Sequence, residues 1–200
     1  MRSGTRSQCK RRWTPKGHRP RCRMKLGYQY CYLYAALHPY SGSLFSLISP
    51  AGSCGQARRI SQGVCDLPDM TKDSFGVFTD HFSRYLDQLY PKDLHGNLRS
   101  ADGEHNEQRN KVLLIADGAG AHLEALCTDH SFAFKKLPAA SPELNPVERF
   151  FEELRKDLAD QVFDTLEQVE EHLTTILQKY YQNPQVIMPL TQFPYISLPT

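Results

Sequence analysis

Val112-Leu113-Leu114-Ile115-Ala116-Asp117-Gly118-Ala119-Gly120-Ala121-His122 opens with an unbroken apolar run and then presents a carboxylate. The run is too short for a helix and suits a strand covered on both faces. In open α/β sheets, ligands bind beyond the carboxyl ends of the strands. Asp117 stands at that edge. A carboxylate leaving a hydrophobic strand suits Mg²⁺, which prefers oxygen ligands and keeps several waters. The small residues that follow would let a phosphate backbone approach closely. Asp117 also reads as a plain N-cap, because Asp is preferred there and residues 118–126 have the pattern of a helix. The Gly-Ala-Gly lacks the full dinucleotide fingerprint, and no P-loop lysine follows.

Downstream, Phe132 to Leu137 reads as another strand. It leads into Leu137-Pro138-Ala139-Ala140-Ser141-Pro142-Glu143-Leu144-Asn145-Pro146-Val147-Glu148. The prolines stiffen this loop. Asn145 and Pro146 suit the cap and first position of a helix. Glu148 then falls in the first helical turn, where an acid complements the helix dipole. Asn145-x-x-Glu148 also approximates a capping box, so a structural role accounts for Glu148 as well. The helix beginning near Pro146 should bury Val147, Phe150, Phe151, Leu154 and Leu158. A second, beginning near Thr165, should bury Leu166, Val169, Leu173, Ile176, Leu177 and Tyr180.

Upstream, Asp73 to Tyr90 carries Phe78, Phe82, Tyr85, Leu86 and Leu89 at helical spacing. Tyr28 to Leu37 and Leu44 to Ile48 read as strands of a hairpin joined by the turn His38-Pro39-Tyr40-Ser41-Gly42. Residues 50–70 and 91–110 read as loops. The predicted element order, β-β-α-β-α-β-α-α, is that of an α/β protein. It divides into a basic arm without structure of its own (1–26), a domain (27–182) and an irregular tail (183–200).

Charge is distributed unevenly. Residues 1–25 carry ten basic side chains and no acidic one, leaving 14 basic and 22 acidic over the remainder. Such an arm suits a polyanion, because Lys and Arg release counterions from phosphates; it also reads as a solvated tail. The six cysteines form no CxxC pair, so reduced and mostly buried thiols are expected. No apolar run approaches the ~18 residues that cross a bilayer, and no signal-like stretch follows the basic start. An intracellular, cytoplasmic protein is expected, associated with the nucleoid if the source is bacterial.

Taken together, strand-Asp117-x-x-x-x-His122 and Ser141-Pro142-Glu143-Leu144-Asn145-Pro146-Val147-Glu148 resemble the DDE catalytic domain of mariner-superfamily transposases, in the bacterial insertion-sequence branch. Arg12-Trp13-Thr14-Pro15-Lys16-Gly17-His18-Arg19-Pro20 and the Tyr-rich strand after it resemble the family segment just beyond its first acid. The likeness covers nearly all of residues 10–180. It implies a ribonuclease H-like mixed sheet flanked by helices. It also implies metal-dependent cleavage of transposon-end DNA followed by strand transfer. Asp117 and Glu148 become metal ligands for Mg²⁺ or Mn²⁺. Lys16, Arg19 and Arg21 become DNA contacts, and His122 either touches DNA phosphate, positions Asp117 or is an ordinary packed or surface histidine. Trp13 either stacks on a base or, as the stronger expectation, packs on the domain.

The first family acid has no counterpart here. It ends a strand upstream of the Arg12-to-Pro20 segment, whereas the first acidic residue of this chain is Asp66. The expectation is therefore a domain that lacks its first strand, exposes a sheet edge, and is inactive alone. DNA is the expected partner. A homodimer, or complementation by an upstream transposase fragment, is the expected assembly. The competing class is a non-catalytic DNA-binding or interaction protein derived from a transposase.

Overall fold

A computed structural model describes residues 1–10, 13–19, 21–50, 72–90, 112–118, 127, 130 and 132–196. Two compact units are present, one formed by Met1–Asp69 with Pro146–Thr200 and the other by Met70–Asn145. Helices and strands mix in both, and the chain is α/β.

In the first unit, β1 (Arg2–Gly4), β2 (Tyr30–Leu37) and β3 (Leu44–Pro50) form an antiparallel sheet in that order. The β2–β3 hairpin pairs Leu33 with Ile48 and Leu37 with Leu44. Two amphipathic helices cover one face: α2 (Pro146–Leu158) and α3 (Leu166–Gln182). Their apolar stripes bury Phe150, Phe151, Leu154 and Leu158, and Leu166, Val169, Leu173, Ile176 and Leu177, against Cys31, Leu33, Leu44 and Ile48. Val147 and Tyr180 pack at the margin. Every position expected from the helical spacing is therefore on the core side. α3 starts where its chemistry directs: the Thr165 hydroxyl accepts from Gln168 N, and Gln168 Oε1 accepts from Asp164 N at 2.7 Å.

Three expectations change in this unit. The arm is not without structure: Arg2–Gly4 pairs with Tyr32, Cys31 and Tyr30 along β2. Trp13 does not pack on the domain; it is fully exposed, on a polar stretch that offers no apolar surface to cover it. The tail 183–200 is not irregular up to Ile196. It contains a 3-10 turn at Pro184–Val186, a short helix α4 (Met188–Thr191) and a 3-10 turn at Pro194–Ile196, with Ile187 in the core and Thr191 fully buried. Pro184, Pro189 and Pro194 sit at the starts of these elements, where a missing N–H is harmless.

In the second unit, α1 (Lys72–Leu89) is paired with a two-stranded parallel sheet of β4 (Val112–Ala116) and β5 (Phe132–Lys136). Aromatic contacts join them: Phe75 meets Phe134 edge-on at 6.0 Å and Phe82 meets Phe132 at 5.3 Å. Phe78, Phe82 and Leu86 are buried as expected, and Phe75 joins them, but Leu89 at the helix end is exposed. The expectation that β4 is covered on both faces is overturned. Val112 and Leu114 pair in register with Phe132 and Phe134 on the α1 side. Leu113 and Ile115 alternate to the other side and are 53% and 47% exposed. A single mixed sheet was expected; among the described residues there are two small sheets. The predicted loops at 50–70 and 91–110 and the predicted helix at 118–126 lie almost wholly outside the described residues.

Candidate catalytic carboxylates

Asp117 belongs to the second unit. It follows β4 directly and is half-buried. The parallel ladder holds the strand end in place, and Leu137 N donates to Ala116 O at 2.8 Å beyond the last paired residues. The backbone that delivers the carboxylate is thus fixed by hydrogen bonds up to the preceding residue. Gly118 lies beside the Lys136 side chain: a Cβ placed there would sit 3.6 Å from Lys Cε. Lys136 pairs with Ala116 in register, so a cation stands next to the strand end that bears Asp117. Sequence reading did not single out Lys136. Its position depends on the parallel register, which no local signal announces.

Glu148 belongs to the first unit, in the opening turn of α2. Pro146 begins the helix with its φ already set, preceded by a 3-10 turn at Pro142–Leu144. Two turns on, Arg155 places Nη2 3.9 Å from Glu148 Oε2, with both side chains more than a third exposed or close to it (44% and 35%). Such a pair contributes little to stability but keeps a positive group beside the carboxylate. The buried Phe150, Phe151 and Leu154 lie on the core face of the same helix.

Lys16, Arg19 and Arg21 are exposed. His122 lies outside the described residues. Among the described residues, no group of three or more His, Cys, Asp or Glu side chains is arranged to hold a metal ion. Asp117 and Glu148 stand in different compact units; each offers the carboxylate oxygens that a hard divalent cation takes. No described helix is long and apolar enough to cross a membrane.

Comparison with curated proteins and with solved structures gives no match. Comparison with protein families does: the family described as DDE superfamily endonuclease matches residues 76–170, just under half of the chain. The matched span contains Asp117, directly after β4, and Glu148, in the opening turn of α2, and over residues 76–170 the chain is similar to DDE superfamily endonucleases.

Proposed function

We propose that this chain is the part of a mariner-type insertion-sequence transposase domain that supplies two of its three catalytic carboxylates, Asp117 and Glu148. The observation that supports the reading is the family match over residues 76–170, a span that includes both acids, one following a strand and one in the first turn of a helix. The parent reaction is hydrolysis of phosphodiesters at transposon ends, then attack of the freed 3′-hydroxyl on target DNA. The underlying sheet would be ribonuclease H-like.

In this reading Asp117 and Glu148 hold Mg²⁺ or Mn²⁺. When bound, such ions lower the pKa of a water and stabilise charge on the attacking and leaving oxygens. The chain's own residues position and neutralise. The β4–β5 ladder fixes the Asp117 backbone, Pro146 fixes the helix start under Glu148, and Arg155 stands beside the Glu148 carboxylate. Lys136 would meet a phosphate oxygen near Gly118. Lys16, Arg19 and Arg21 would contact the DNA backbone, and so would His122. Two carboxylates rarely fix a pair of ions, and residues 1–65 contain none. The polypeptide alone is therefore expected to bind DNA without cutting it.

A specific observation favours a second reading. The exposed basic stretch around Lys16, Arg19 and Arg21 would serve a non-catalytic DNA-binding protein equally well. Purified chain is incubated with Mg²⁺ or Mn²⁺ and a duplex carrying a transposon end, beside Asp117→Asn and Glu148→Gln. Salt-sensitive binding, no cleavage, and Mn²⁺ binding that either substitution weakens are expected. Cleavage by the chain alone would overturn its inactivity. Mn²⁺ binding indifferent to both substitutions, with DNA binding intact, would favour the non-catalytic reading.

A further inference from the structure

The basic segment is the span between two cysteines. Cys9 and Cys22 are both exposed, and their Sγ atoms lie 3.2 Å apart. A disulfide needs about 2.05 Å, so a small side-chain rotation closes the gap. Sequence reading expected mostly buried thiols. That holds for Cys31 and Cys127 but not for this pair.

The approach is built into the fold. Gly4 and Gly27 allow the two segments to run nearly in contact: a Cβ on Gly27 would fall 1.9 Å from Thr5 Oγ1, and one on Gly4 would fall 2.1 Å from Gln29 O. Thr5 N donates to Gln29 O at 3.0 Å, Ser7 N to Lys25 O at 3.1 Å, and Lys25 N to Ser7 Oγ at 3.0 Å. Both segments are also tied to the α2–α3 connection. Asp160 N donates to Gln8 O at 2.7 Å, and Lys10 N donates to Asp160 Oδ1 at 3.3 Å, on either side of Cys9. On the other segment, Lys25 Nζ reaches Asp164 Oδ1 at 2.8 Å. The stem therefore ends at the two sulfurs. Between Cys9 and Cys22 the sequence carries Lys10, Arg11, Arg12, Lys16, Arg19 and Arg21 and no acidic residue.

We propose that Cys9 and Cys22 are a reversible redox site whose disulfide closes the basic segment into a ring. The oxidant is a small-molecule disulfide such as oxidised glutathione. One thiolate attacks it and releases one small thiol; the second thiolate attacks the resulting mixed disulfide and releases the other. The two cysteines lose two electrons and two protons, and one small disulfide becomes two thiols. Exposed disulfides of this sort are the labile, regulatory ones. Closure removes conformations of the segment before it meets a ligand, and such pre-organisation tightens binding. This consequence for DNA rests on the function proposed above; the disulfide itself does not.

The full chain is equilibrated at set ratios of oxidised to reduced glutathione, quenched with an alkylating reagent and weighed intact and after trypsin. Cys9 and Cys22 should escape alkylation together. Peptides Ser7–Lys10 and Cys22–Arg23 should stay joined until reductant is added, although trypsin cuts the residues between them. Cys9→Ser should leave Cys22 open to alkylation or to a single glutathione. Independent alkylation of both residues at every ratio, or one glutathione on each, would overturn the site. Duplex binding is then measured in both states. The oxidised chain should bind several-fold more tightly, and the double variant Cys9→Ser/Cys22→Ser should ignore the glutathione ratio. Equal affinity in the two states would overturn the coupling. Failure to bind in either state would count against the DNA reading, while the peptide masses still decide the disulfide.

Discussion

Replacing Glu148 with Gln separates a carboxylate kept for chemistry from one kept for folding. Two unit charges at the Glu148–Arg155 separation of 3.9 Å attract by about 1 kcal/mol in water. Both side chains are well solvated, so the retained value is nearer 0.5 kcal/mol. The first-turn dipole adds about 0.3–1 kcal/mol. Gln keeps the size and nearly the helix propensity of Glu. The substitution should therefore cost about 1 kcal/mol, or roughly 2–4 °C in Tm for a chain of this size. Urea and thermal denaturation followed by circular dichroism measure it. The wild-type chain should also gain about 1.4 kcal/mol at ten times the Kd for Mn²⁺, and the variant should gain far less. A loss above about 3 kcal/mol would show that Glu148 serves the fold rather than a metal.

Other perturbations test the packing and titration. Phe150→Ala removes a ring that is 0% exposed and meets Tyr180 edge-on at 5.0 Å; it should cost about 3–5 kcal/mol by the urea midpoint, and a cost below about 1 kcal/mol would contradict the core described. Burial lowers the His38 pKa below its ordinary 6.5, and Ser41 N donates to its Nδ1 at 3.1 Å, which requires that nitrogen unprotonated. The folded chain thus binds fewer protons than the unfolded one below pH 6.5. Stability should be full above that pH and fall as pH drops toward the lowered folded value; a urea midpoint in His38→Gln that falls as steeply as wild type would contradict this. Burial, with help from nearby Glu170, pushes the Cys31 thiol up to about 12. At pH 8 Cys31 should resist alkylation in the folded chain while Cys9 and Cys22 react under reducing conditions, and equal rates would mean that the sheet opens readily.

What could be read directly from the residues was local. α2 and α3 were legible because their apolar residues recur at helical spacing and their starts carry Asn145-Pro146 and Thr165. Asp117 and Glu148 were legible as the end of a strand and the start of a helix. The faces of β4 were not. Val-Leu-Leu-Ile-Ala has no alternation, so only the register with Phe132 and Phe134 reveals that Leu113 and Ile115 point away from α1. The stem joining residues 2–9 to 22–32 was also hidden, because backbone pairing between polar segments leaves no periodic trace. Lys136 beside Gly118, and the approach of Cys9 to Cys22, depend on such non-local pairings.

The function proposed here makes both Asp117 and Glu148 metal ligands. Bound Fe²⁺ with ascorbate and peroxide cuts the backbone at the residues nearest the ion. Cuts close to both Asp117 and Glu148 are expected, suppressed by excess Mg²⁺ and by either Asp117→Asn or Glu148→Gln. Cuts near one carboxylate alone, or cuts that both substitutions leave unchanged, would contradict it.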